Sequence, residues 1–221
     1  MKEYATIIFT RFPTKGLVKT RLSKNIDENS VLEMHKAMIK DTIHICKNNM
    51  SDIFIFITEF EKLNEKTSDF FCNEKNIFSK ENLTFGKKMK FSFQKVFSMG
   101  YKKVILIGTD IPTIKSNDIE TALKTLDSVD AYISKTFDNG YYLLGIKKIF
   151  DSIFDDNIFK TCNVFENTIE ALKKENLTFD SGRILRDIDT KKDLDFFINN
   201  EYDMSEYENF KKFLKENYIE T

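Results

Sequence analysis

Residues 104–112 read VILIGTDIP, a short apolar run followed by a polar turn that ends in proline. The run from Val104 to Gly108 has the β-branched composition and the length of a strand that is buried on both faces. Asp110 comes two residues after this strand. In open α/β sheets, ligands bind beyond the carboxyl ends of the strands. The stretch therefore predicts a central strand of such a sheet, with a functional aspartate at its end.

Strands and helices alternate on the N-terminal side of this stretch. Buried strands are predicted at YATIIF (residues 4–9), at IFIFIT (residues 53–58) and at residues 76–79. Apolar residues at helical spacing predict helices over about residues 30–47 and 85–99, the second ending at Gly100. Alternation of this kind is typical of βαβ units, so we expect a mainly parallel sheet.

The C-terminal side predicts two strands in succession and further helices. The strands are expected at residues 131–134 and 141–146 around a turn at 135–140, and the helices at 117–126, at 163–174, from 190 and from 205. Ser116 is a candidate N-cap, and capping boxes are predicted for Asn163 with Glu166, Thr190 with Asp193, and Ser205 with Glu208. Two strands without an intervening helix indicate a mixed sheet. We predict a three-layer α/β/α fold with a mostly parallel mixed sheet, in a single domain over residues 1–221.

The overall composition excludes some classes of partner. Lys and Arg (34) nearly balance Asp and Glu (35), so the sequence lacks the positive footprint of proteins that bind nucleic acid or anionic membranes. Cys46, Cys72 and Cys162 are far apart and form no CxxC pair, which argues against a zinc site and a disulfide framework. The first apolar run is too short for a signal peptide or a membrane span. We expect a cytoplasmic protein with reduced thiols.

A basic loop follows the first predicted strand. Residues 9–22 read FTRFPTKGLVKTRL and include the cations Arg11, Lys15, Lys19 and Arg21. Gly16 would let the backbone approach a ligand closely, while Lys19 and Arg21 supply charge and hydrogen-bond donors for phosphate. The spacing does not match GxxxxGK[ST], so the loop is not a P-loop. A solvent-exposed basic loop without a ligand is the alternative interpretation, and we expect the loop to be exposed in either case.

Aspartates stand at the ends of several predicted elements. Asp110 suits a divalent cation held against phosphate, since Mg²⁺ usually takes one or two carboxylates plus phosphate oxygens. The alternative is an aspartate that caps the turn before Pro112. Asp138 begins an Asp-Asn-Gly sequence, which is also a common hairpin turn. Asp187 and Asp189 precede a predicted helix, which either could cap.

The histidines and phenylalanines have simpler interpretations. His35 and His44 lie on one predicted helix, without a carboxylate at ligand spacing. We interpret them as core or surface residues rather than catalytic ones. Core packing is likewise the interpretation for Phe85, Phe91, Phe93 and Phe97.

Taken in order, the motifs resemble those of one bacterial family. They are FTRFPTKGLVKTRL, LTFGKKM, VILIGTDIP, DNGYYLLGI, IFKTCNVFENT and DIDTKKDL, and the resemblance extends from residue 6 to about residue 197. The chain resembles bacterial glycosyltransferases of the arsenosugar-biosynthesis type, a family similar in fold to the GT-A-like nucleotide-diphospho-sugar transferases. A weaker resemblance extends to small nucleotidylyltransferases, such as 2-phospholactate and molybdenum-cofactor guanylyltransferases. The family pattern has an acidic residue, arginine, glycine and proline where this chain has Thr84, Lys88, Asn139 and Lys191.

The resemblance implies two sets of binding residues. Nucleotide binding would fall to Arg11, Gly16, Lys19, Thr20, Arg21, Gly86 and Lys88. Asp110 and Asp189 would hold Mg²⁺ or Mn²⁺. We expect their carboxylates to lie within about 8 Å of each other, and at least one of the two to have a raised pKa.

The resemblance also implies an acceptor or sugar site. Asn139, Gly140 and Tyr141 would bind the substrate there, and Asp138 would orient or deprotonate the acceptor. Asp110 and Asp138 are therefore the predicted catalytic residues.

The function that the resemblance implies, and that we expect, is a metal-dependent glycosyltransferase. It would move a sugar from a nucleotide-diphospho-sugar to a small-molecule acceptor, with the cation neutralising the diphosphate leaving group. Nucleotidyl transfer from an NTP to a phosphorylated acceptor, with release of pyrophosphate, is the first alternative. A nucleotide-binding domain without catalysis is the second.

Overall fold

The computed structural model describes residues 3–49, 51–58, 70–71, 76–79, 82–200 and 202–218. The strands are β1 (Tyr4–Thr10), β2 (Asp52–Ile57), β3 (Ile77–Ser79), β4 (Lys103–Gly108), β5 (Ala131–Lys135), β6 (Tyr141–Ile146) and β7 (Phe179–Asp180). The α-helices are α1 (Glu28–Lys47), α2 (Phe85–Phe97), α3 (Ser116–Thr125), α4 (Val164–Lys174), α5 (Lys191–Asn199) and α6 (Glu208–Asn217). Short 3₁₀ turns cover Leu22–Lys24, Asp151–Phe154 and Ile158–Lys160.

The strands form one seven-stranded sheet in the order β3-β2-β1-β4-β6-β5-β7. β1 lies between β2 and β4 and is parallel to both. β6 is antiparallel to β4 and to β5, which places the reversed strand where the sequence predicted two strands in succession. The predicted mostly parallel mixed sheet is confirmed.

Helices cover both faces of this sheet, so the predicted three-layer α/β/α architecture is confirmed as well. Side chains alternate between the two faces along a strand, and Ile7 and Ile8 of β1 accordingly belong to different cores. α1, α3, α5 and α6 pack on the face of Ile8. α2 and α4 pack on the face of Ile7.

Several helix starts differ from the predictions. Ser116 is the first residue of α3 rather than its N-cap, and Asp118 accepts a hydrogen bond from the Lys115 main-chain nitrogen, 2.8 Å away. Asn163 precedes α4 without a side-chain capping bond, because the Glu166 carboxylate pairs with Lys135 instead. The capping box predicted there is wrong.

The start of α6 is capped from another helix. Tyr207, not Ser205, is the N-cap residue, and it makes no side-chain capping bond. The buried Asp41 carboxylate of α1 instead accepts from the main-chain nitrogens of Asn209 and Phe210, at 3.0 and 2.8 Å. Because Asp41 is so far away in sequence, the residues around the start of α6 contain no pattern that predicts this cap. By contrast, the capping box of Thr190 and Asp193 at the start of α5 is confirmed.

Two further findings concern the cysteines and the helices. Cys46 is a buried free thiol and Cys162 an exposed one, while Cys72 lies outside the described residues. Across the described ranges, no helix combines the length and apolar character that crossing a bilayer requires.

Candidate active site

A cavity of about 550 Å³ opens at the carboxyl ends of β1 and β4. The Oγ1 atoms of Thr10 and Thr109 lie 2.9 Å apart and join the two strand ends at its floor. The described residues that line it are Phe9, Thr10, Arg11, Val18, Lys19, Thr20, Arg21, His35, Thr58, Phe85, Met89, Leu106, Gly108, Thr109, Asp110, Gly140, Tyr141, Tyr142, Phe159, Val164 and Asp189. The cavity therefore has a charged side and an aromatic side.

Lys19 lies at the centre of the charged side. Its Nζ donates to the Ile188 carbonyl oxygen at 2.5 Å and contacts Oδ1 of Asp110 at 2.8 Å and Oδ1 of Asp189 at 3.3 Å. The Lys19 side chain is only 3% exposed. The expectation that this loop is exposed is thus wrong for Lys19, because its side chain turns inward to reach the two carboxylates.

The loop backbone directs Lys19 inward through an unusual conformation. Lys19 has φ +49°, in the left-handed region that residues with a Cβ seldom adopt, and Gly16 has φ +75°. The Lys19 carbonyl oxygen accepts hydrogen bonds from the main-chain nitrogens of Leu22 and Ser23, at 2.9 and 3.0 Å. The 3₁₀ turn that follows therefore holds Lys19 in place.

Asp110 and Asp189 come together although 78 residues separate them in sequence. Their Oδ1 atoms contact the same Lys19 nitrogen, at 2.8 and 3.3 Å, so they cannot be further apart than the sum of these distances, about 6.1 Å. The Ile188 main-chain nitrogen also donates to the Asp110 carbonyl oxygen at 3.1 Å, which ties the two segments together. The carboxylates of Asp110 and Asp189 are therefore as close to each other as expected from the sequence.

The pKa expectation for this pair does not hold for Asp110. Burial raises the pKa of this carboxyl, but the Lys19 ammonium and His35 outweigh that effect and hold it below its ordinary value of 3.8. Burial likewise lowers the pKa of Lys19, while the two aspartates raise it above 10.5 overall. Lys19 and Asp110 are thus a charged pair at neutral pH.

A raised pKa occurs instead at Asp187. Burial, together with the charges of Asp138 and Asp189, raises the pKa of Asp187 to about 7. This carboxyl lacks a contact with Lys19 comparable to those of Asp110 and Asp189, so the repulsion between carboxylates appears at this residue.

His35 is a site residue that the sequence interpretation missed. It lies on α1 with its imidazole buried, Nδ1 3.9 Å from Asp110 Oδ1 and Nε2 3.3 Å from the Arg11 carbonyl oxygen. Nδ1 of His35 and Oδ1 of Asp110 are both buried without a well-aligned hydrogen bond. Burial lowers the pKa of His35 below 6.5. No sequence spacing signals this approach, because the contact joins a helix to a distant strand end.

The other predicted phosphate ligands differ in position. Arg21 is exposed, with NH1 3.8 Å from Asp189 Oδ2, and Arg11 and Thr20 line the cavity beside it. Gly16, Gly86 and Lys88 are outside the cavity lining that the described residues form. A Cβ on Gly86 would collide with the Phe154 carbonyl oxygen, and Lys88 Nζ donates to the Thr58 carbonyl oxygen at 2.5 Å. Gly86 therefore allows close packing, and the Lys88 ammonium is held by the carbonyl oxygen of Thr58.

The aromatic side centres on Phe85 at the start of α2. The Phe85 ring packs edge-to-face on Phe9 and on Phe159, with centroids 5.7 and 5.2 Å apart. Phe85 is nevertheless 50% exposed, so the core role predicted for it is wrong, whereas Phe93 is fully buried as predicted. These three rings give the cavity an apolar wall.

The turn between β5 and β6 reaches the cavity only in part. Gly140 and Tyr141 belong to the lining, while Asp138 and Asn139 do not. Asp138 Oδ1 accepts from Thr136 Oγ1 at 2.5 Å and from the Gly140 main-chain nitrogen at 3.0 Å. Asn139 has φ +70°, which explains how asparagine can stand where the resembling family has glycine.

The charged side offers two carboxylates to a cation. Among the described residues, no group of three or more His, Cys, Asp or Glu side chains has the geometry of a metal site. Two carboxylates are, however, what Mg²⁺ usually takes from a protein when phosphate supplies further oxygens. The buried Asp110 Oδ1 without a well-aligned hydrogen bond fits that use.

Solved structures share this fold. A protein of Desulfovibrio desulfuricans G20, described as a "putative nucleotide-diphospho-sugar transferase", matches with a TM-score of 0.90 and 27% identity, over 98% of this chain and 96% of its own. A cytidylyltransferase of Leptospira borgpetersenii serovar Hardjo-bovis matches at 0.51 and 14% identity, over 98% and 95%. The Rv0371C protein of Mycobacterium tuberculosis H37Rv, crystallised with manganese, matches at 0.52 and 8% identity, over 90% and 100%. The fold is thus that of nucleotide-diphospho-sugar transferase structures.

The family follows from the sequence itself. The model of the family described as "Uncharacterized protein conserved in bacteria (DUF2064)" matches residues 42–161, more than half of the chain. The chain belongs to this family. No curated protein matches it.

Proposed function

We propose that the chain is a metal-dependent glycosyltransferase that uses a nucleotide-diphospho-sugar as donor and a small molecule as acceptor. The observation that carries this proposal is the joining of Lys19, Asp110 and Asp189 at one end of a cavity whose other wall is aromatic. A charged end suits a diphosphate with its cation, and an apolar wall suits a planar or apolar group attached to it. The name of the Desulfovibrio protein supports the same donor class.

The residues present fit a divalent cation. Asp110 and Asp189 would hold Mg²⁺ or Mn²⁺, and the manganese complex of the Mycobacterium tuberculosis protein agrees with this choice of metal. When bound, the cation would stabilise the negative charge of the departing diphosphate. Both carboxylates are directed at the same point, where Lys19 Nζ now lies.

The chain's own cations would act on the diphosphate. Arg21 and Arg11 carry guanidinium groups, whose fork of donors matches phosphate oxygens. Because Arg21 is 74% exposed at the cavity mouth, it can turn towards a ligand with little cost. Fixed positive charge here would stabilise the leaving group in the transition state.

The aromatic wall and the β5–β6 turn would hold the remaining groups. Phe85 and Phe159 present ring surface on which a nucleobase or an apolar acceptor can stack. Gly140 and Tyr141 lie at the same side of the cavity and would border the sugar or acceptor. We retain Asp138 as a candidate for orienting the acceptor, beyond its contacts within the turn.

Nucleotidyl transfer is the second candidate, and one observation favours it. The Asp138 carboxylate is engaged by Thr136 and Gly140 within its own turn. An acceptor hydroxyl benefits from a general base, whereas an acceptor phosphate is already an anion and can attack without one. An Asp138 that is kept to these contacts within its turn would therefore suit a phosphate nucleophile better than a hydroxyl.

One experiment separates the candidates. Thermal unfolding with a panel of nucleotide sugars and NTPs, with and without Mn²⁺, identifies the ligand class, because a ligand of the native state raises the melting temperature. Incubation of the stabilising ligand with small-molecule hydroxyl and phosphate acceptors then shows the reaction, since glycosyl transfer to an acceptor releases a nucleoside diphosphate and nucleotidyl transfer to an acceptor phosphate releases pyrophosphate. Failure of every nucleotide in the panel to raise the melting temperature would contradict both candidates.

Three broader predictions accompany this proposal. They are a single domain over residues 1–221, the arsenosugar-biosynthesis type of glycosyl transfer, and a cytoplasmic location.

A further inference from the structure

The Lys19 ammonium is already surrounded by oxygen atoms of the protein. An ammonium group carries three donors. Those of Lys19 face the Ile188 carbonyl oxygen and the Oδ1 atoms of Asp110 and Asp189. For Lys19 to bind a phosphate, as the resemblance implies, at least one of these contacts has to break.

We propose that the Lys19 ammonium occupies the position of the divalent cation between Asp110 and Asp189, and that the metal enters only when a phosphate group draws Lys19 away. This inference rests on the proposed function and adds the regulation of the same site. Its consequence is that metal and nucleotide bind as a coupled pair, and that the metal alone binds weakly.

The atoms around Lys19 Nζ already have the composition of a cation site. Three oxygens surround the nitrogen at 2.5, 2.8 and 3.3 Å, two from carboxylates and one from a main-chain carbonyl. Hard divalent cations bind such oxygens at about 2.0–2.6 Å, so the carboxylates have to turn towards the cation, and their partial exposure allows this. The Ile188 carbonyl oxygen is thereby assigned as a third protein ligand.

This arrangement does not depend on Lys19 for its shape. The Ile188 main-chain nitrogen donates to the Asp110 carbonyl oxygen at 3.1 Å, which holds the two segments together. The Lys19 carbonyl oxygen is bonded to Leu22 and Ser23, which holds the loop. Lys19 can therefore leave by side-chain rotation, while the main chain that carries these oxygens stays in place.

Because both are positively charged, the Lys19 ammonium and a divalent cation are not expected to occupy the site together. An ammonium and a divalent cation a few ångströms apart repel strongly in a partly buried site. The two carboxylates have enough charge for one divalent cation, so Lys19 needs another anion when the cation enters. A phosphate group supplies that anion together with acceptor oxygens for the released donors.

The test measures Mn²⁺ binding without any nucleotide. Mn²⁺ is titrated into the wild-type protein, Lys19→Met and Lys15→Met, with free Mn²⁺ followed by electron paramagnetic resonance. Lys15 is an exposed cation of the same loop, so Lys15→Met removes the same charge without touching the carboxylates. We expect Lys19→Met to bind Mn²⁺ about tenfold more tightly than the other two proteins, within the usual range of coupling between sites. Equal affinity in all three would overturn the inference.

A second arm uses the wild-type protein alone, so the test does not depend on Lys19→Met folding. Inorganic pyrophosphate serves as a diphosphate without a base, and the Mn²⁺–pyrophosphate complex is measured in parallel without protein. Pyrophosphate should raise the affinity of the wild-type protein for Mn²⁺ beyond what the Mn²⁺–pyrophosphate complex alone accounts for. A wild-type affinity that does not respond to pyrophosphate contradicts the inference. Both arms are independent of the nucleotide panel, so failure of the proposed function remains a separate result.

Discussion

The two sides of the cavity differ in how much each has to rearrange when a ligand binds. On the charged side, the Lys19 ammonium already contacts Ile188, Asp110 and Asp189. On the aromatic side, Phe85 lines the cavity, is 50% exposed, and packs against Phe9 and Phe159. A ligand can stack on the aromatic side without rearrangement. On the charged side, Lys19 first has to give up one of its present contacts.

This difference indicates which side of the cavity contributes affinity for a ligand and which side makes binding depend on charge and metal. Contacts with a preformed surface add affinity without a reorganisation cost. Contacts that replace existing ion pairs add little net affinity, but they make binding depend on the correct charge and the correct metal. We therefore expect variants on the charged side to change metal dependence, turnover and stability, and variants on the aromatic side to change affinity alone.

The largest effect is expected for Asp110→Asn. The amide keeps the shape of the side chain but loses the charge that would hold the cation, so turnover should fall by about 100-fold or more, the scale of losing one preorganised electrostatic contact. Nucleotide binding should no longer respond to Mn²⁺ in calorimetric titration. Asp151→Asn, at an exposed carboxylate that pairs with Lys90, is the matched control and should behave as wild type. Retained Mn²⁺ dependence in Asp110→Asn would exclude Asp110 as a ligand.

The second effect concerns stability, because Lys19 is buried although its loop was expected to be exposed. Lys19→Met removes a buried ammonium from two carboxylates, and the free energy of unfolding should fall by about 2 kcal/mol, less than for a fully buried pair because both carboxylates are partly exposed. Urea unfolding at neutral pH measures this loss. Arg21→Met, at an exposed side chain of the same loop, should cost much less.

Acid should remove the difference between wild type and Lys19→Met. The pKa of Asp110 is depressed in the folded chain, so its pairing with Lys19 contributes fully above the ordinary value of 3.8 and is lost as pH falls through the lower folded value. The two unfolding curves should therefore converge in acid. A gap that stays constant from pH 7 to acid would show that the loss at neutral pH comes from packing rather than from charge.

The third effect tests His35 on the charged side. Asparagine places its amide near Nδ1 of the imidazole, whereas glutamine places it near Nε2. If the contact with Asp110 matters, His35→Asn should retain Mn²⁺-dependent nucleotide affinity and His35→Gln should lose about fivefold, the upper end for a charge contact without a hydrogen bond. The opposite order would assign the role to the contact with the Arg11 carbonyl oxygen. Thermal unfolding of both variants controls for damage to the core.

The fourth effect is confined to the aromatic side. Phe85→Ala should weaken nucleotide binding by about 1 kcal/mol, the value of an aromatic contact, and leave the response to Mn²⁺ unchanged. Phe137→Ala removes another exposed ring, 58% exposed and outside the cavity lining, and should leave binding unaltered. Isothermal titration of both variants with the ligand that the thermal-unfolding panel identifies, with and without Mn²⁺, measures both quantities. A change in Mn²⁺ dependence in Phe85→Ala would erase the distinction between the two sides.

The sequence predicts most of the fold because local patterns determine it. The apolar runs in β1, β2 and β4 are long enough for buried strands, and the Thr190–Asp193 pair marks the start of α5 on its own. β7 was missed because two residues carry no periodicity, and it exists only through its pairing with β5. The cap of α6 was missed because Asp41 lies on another helix.

In the candidate site, too, residues that follow a local pattern could be predicted, and residues that depend on distant contacts could not. Asp110 and the basic loop could be found because both directly follow a strand, and parallel strands bring such segments to one edge. The burial of Lys19 and the approach of His35 could not, since each depends on contacts between segments far apart in sequence. Phe85 was assigned to the core because its helical pattern does not reveal that the start of α2 borders a cavity.

The smallest effect is expected for Asp138→Asn, and it decides whether the β5–β6 turn belongs to the chemistry. In the structure Oδ1 of Asp138 accepts from Thr136 and Gly140, and asparagine can accept both bonds through its amide oxygen. If these bonds are its whole role, turnover and the melting temperature should stay at the wild-type values. If Asp138 orients or deprotonates an acceptor hydroxyl, turnover should fall by about 100-fold, the typical contribution of a general base, while nucleotide affinity stays the same.

The two outcomes also separate the candidate reactions. A phosphate nucleophile needs no base, so an unchanged Asp138→Asn variant that releases pyrophosphate would favour nucleotidyl transfer. A large loss of turnover with release of a nucleoside diphosphate would favour glycosyl transfer with Asp138 acting on the acceptor. Thr136→Val is the matched control, because it removes one of the two turn bonds and keeps the carboxylate. If Thr136→Val lowers turnover as much as Asp138→Asn, the shape of the turn is responsible, and the charge of Asp138 is not.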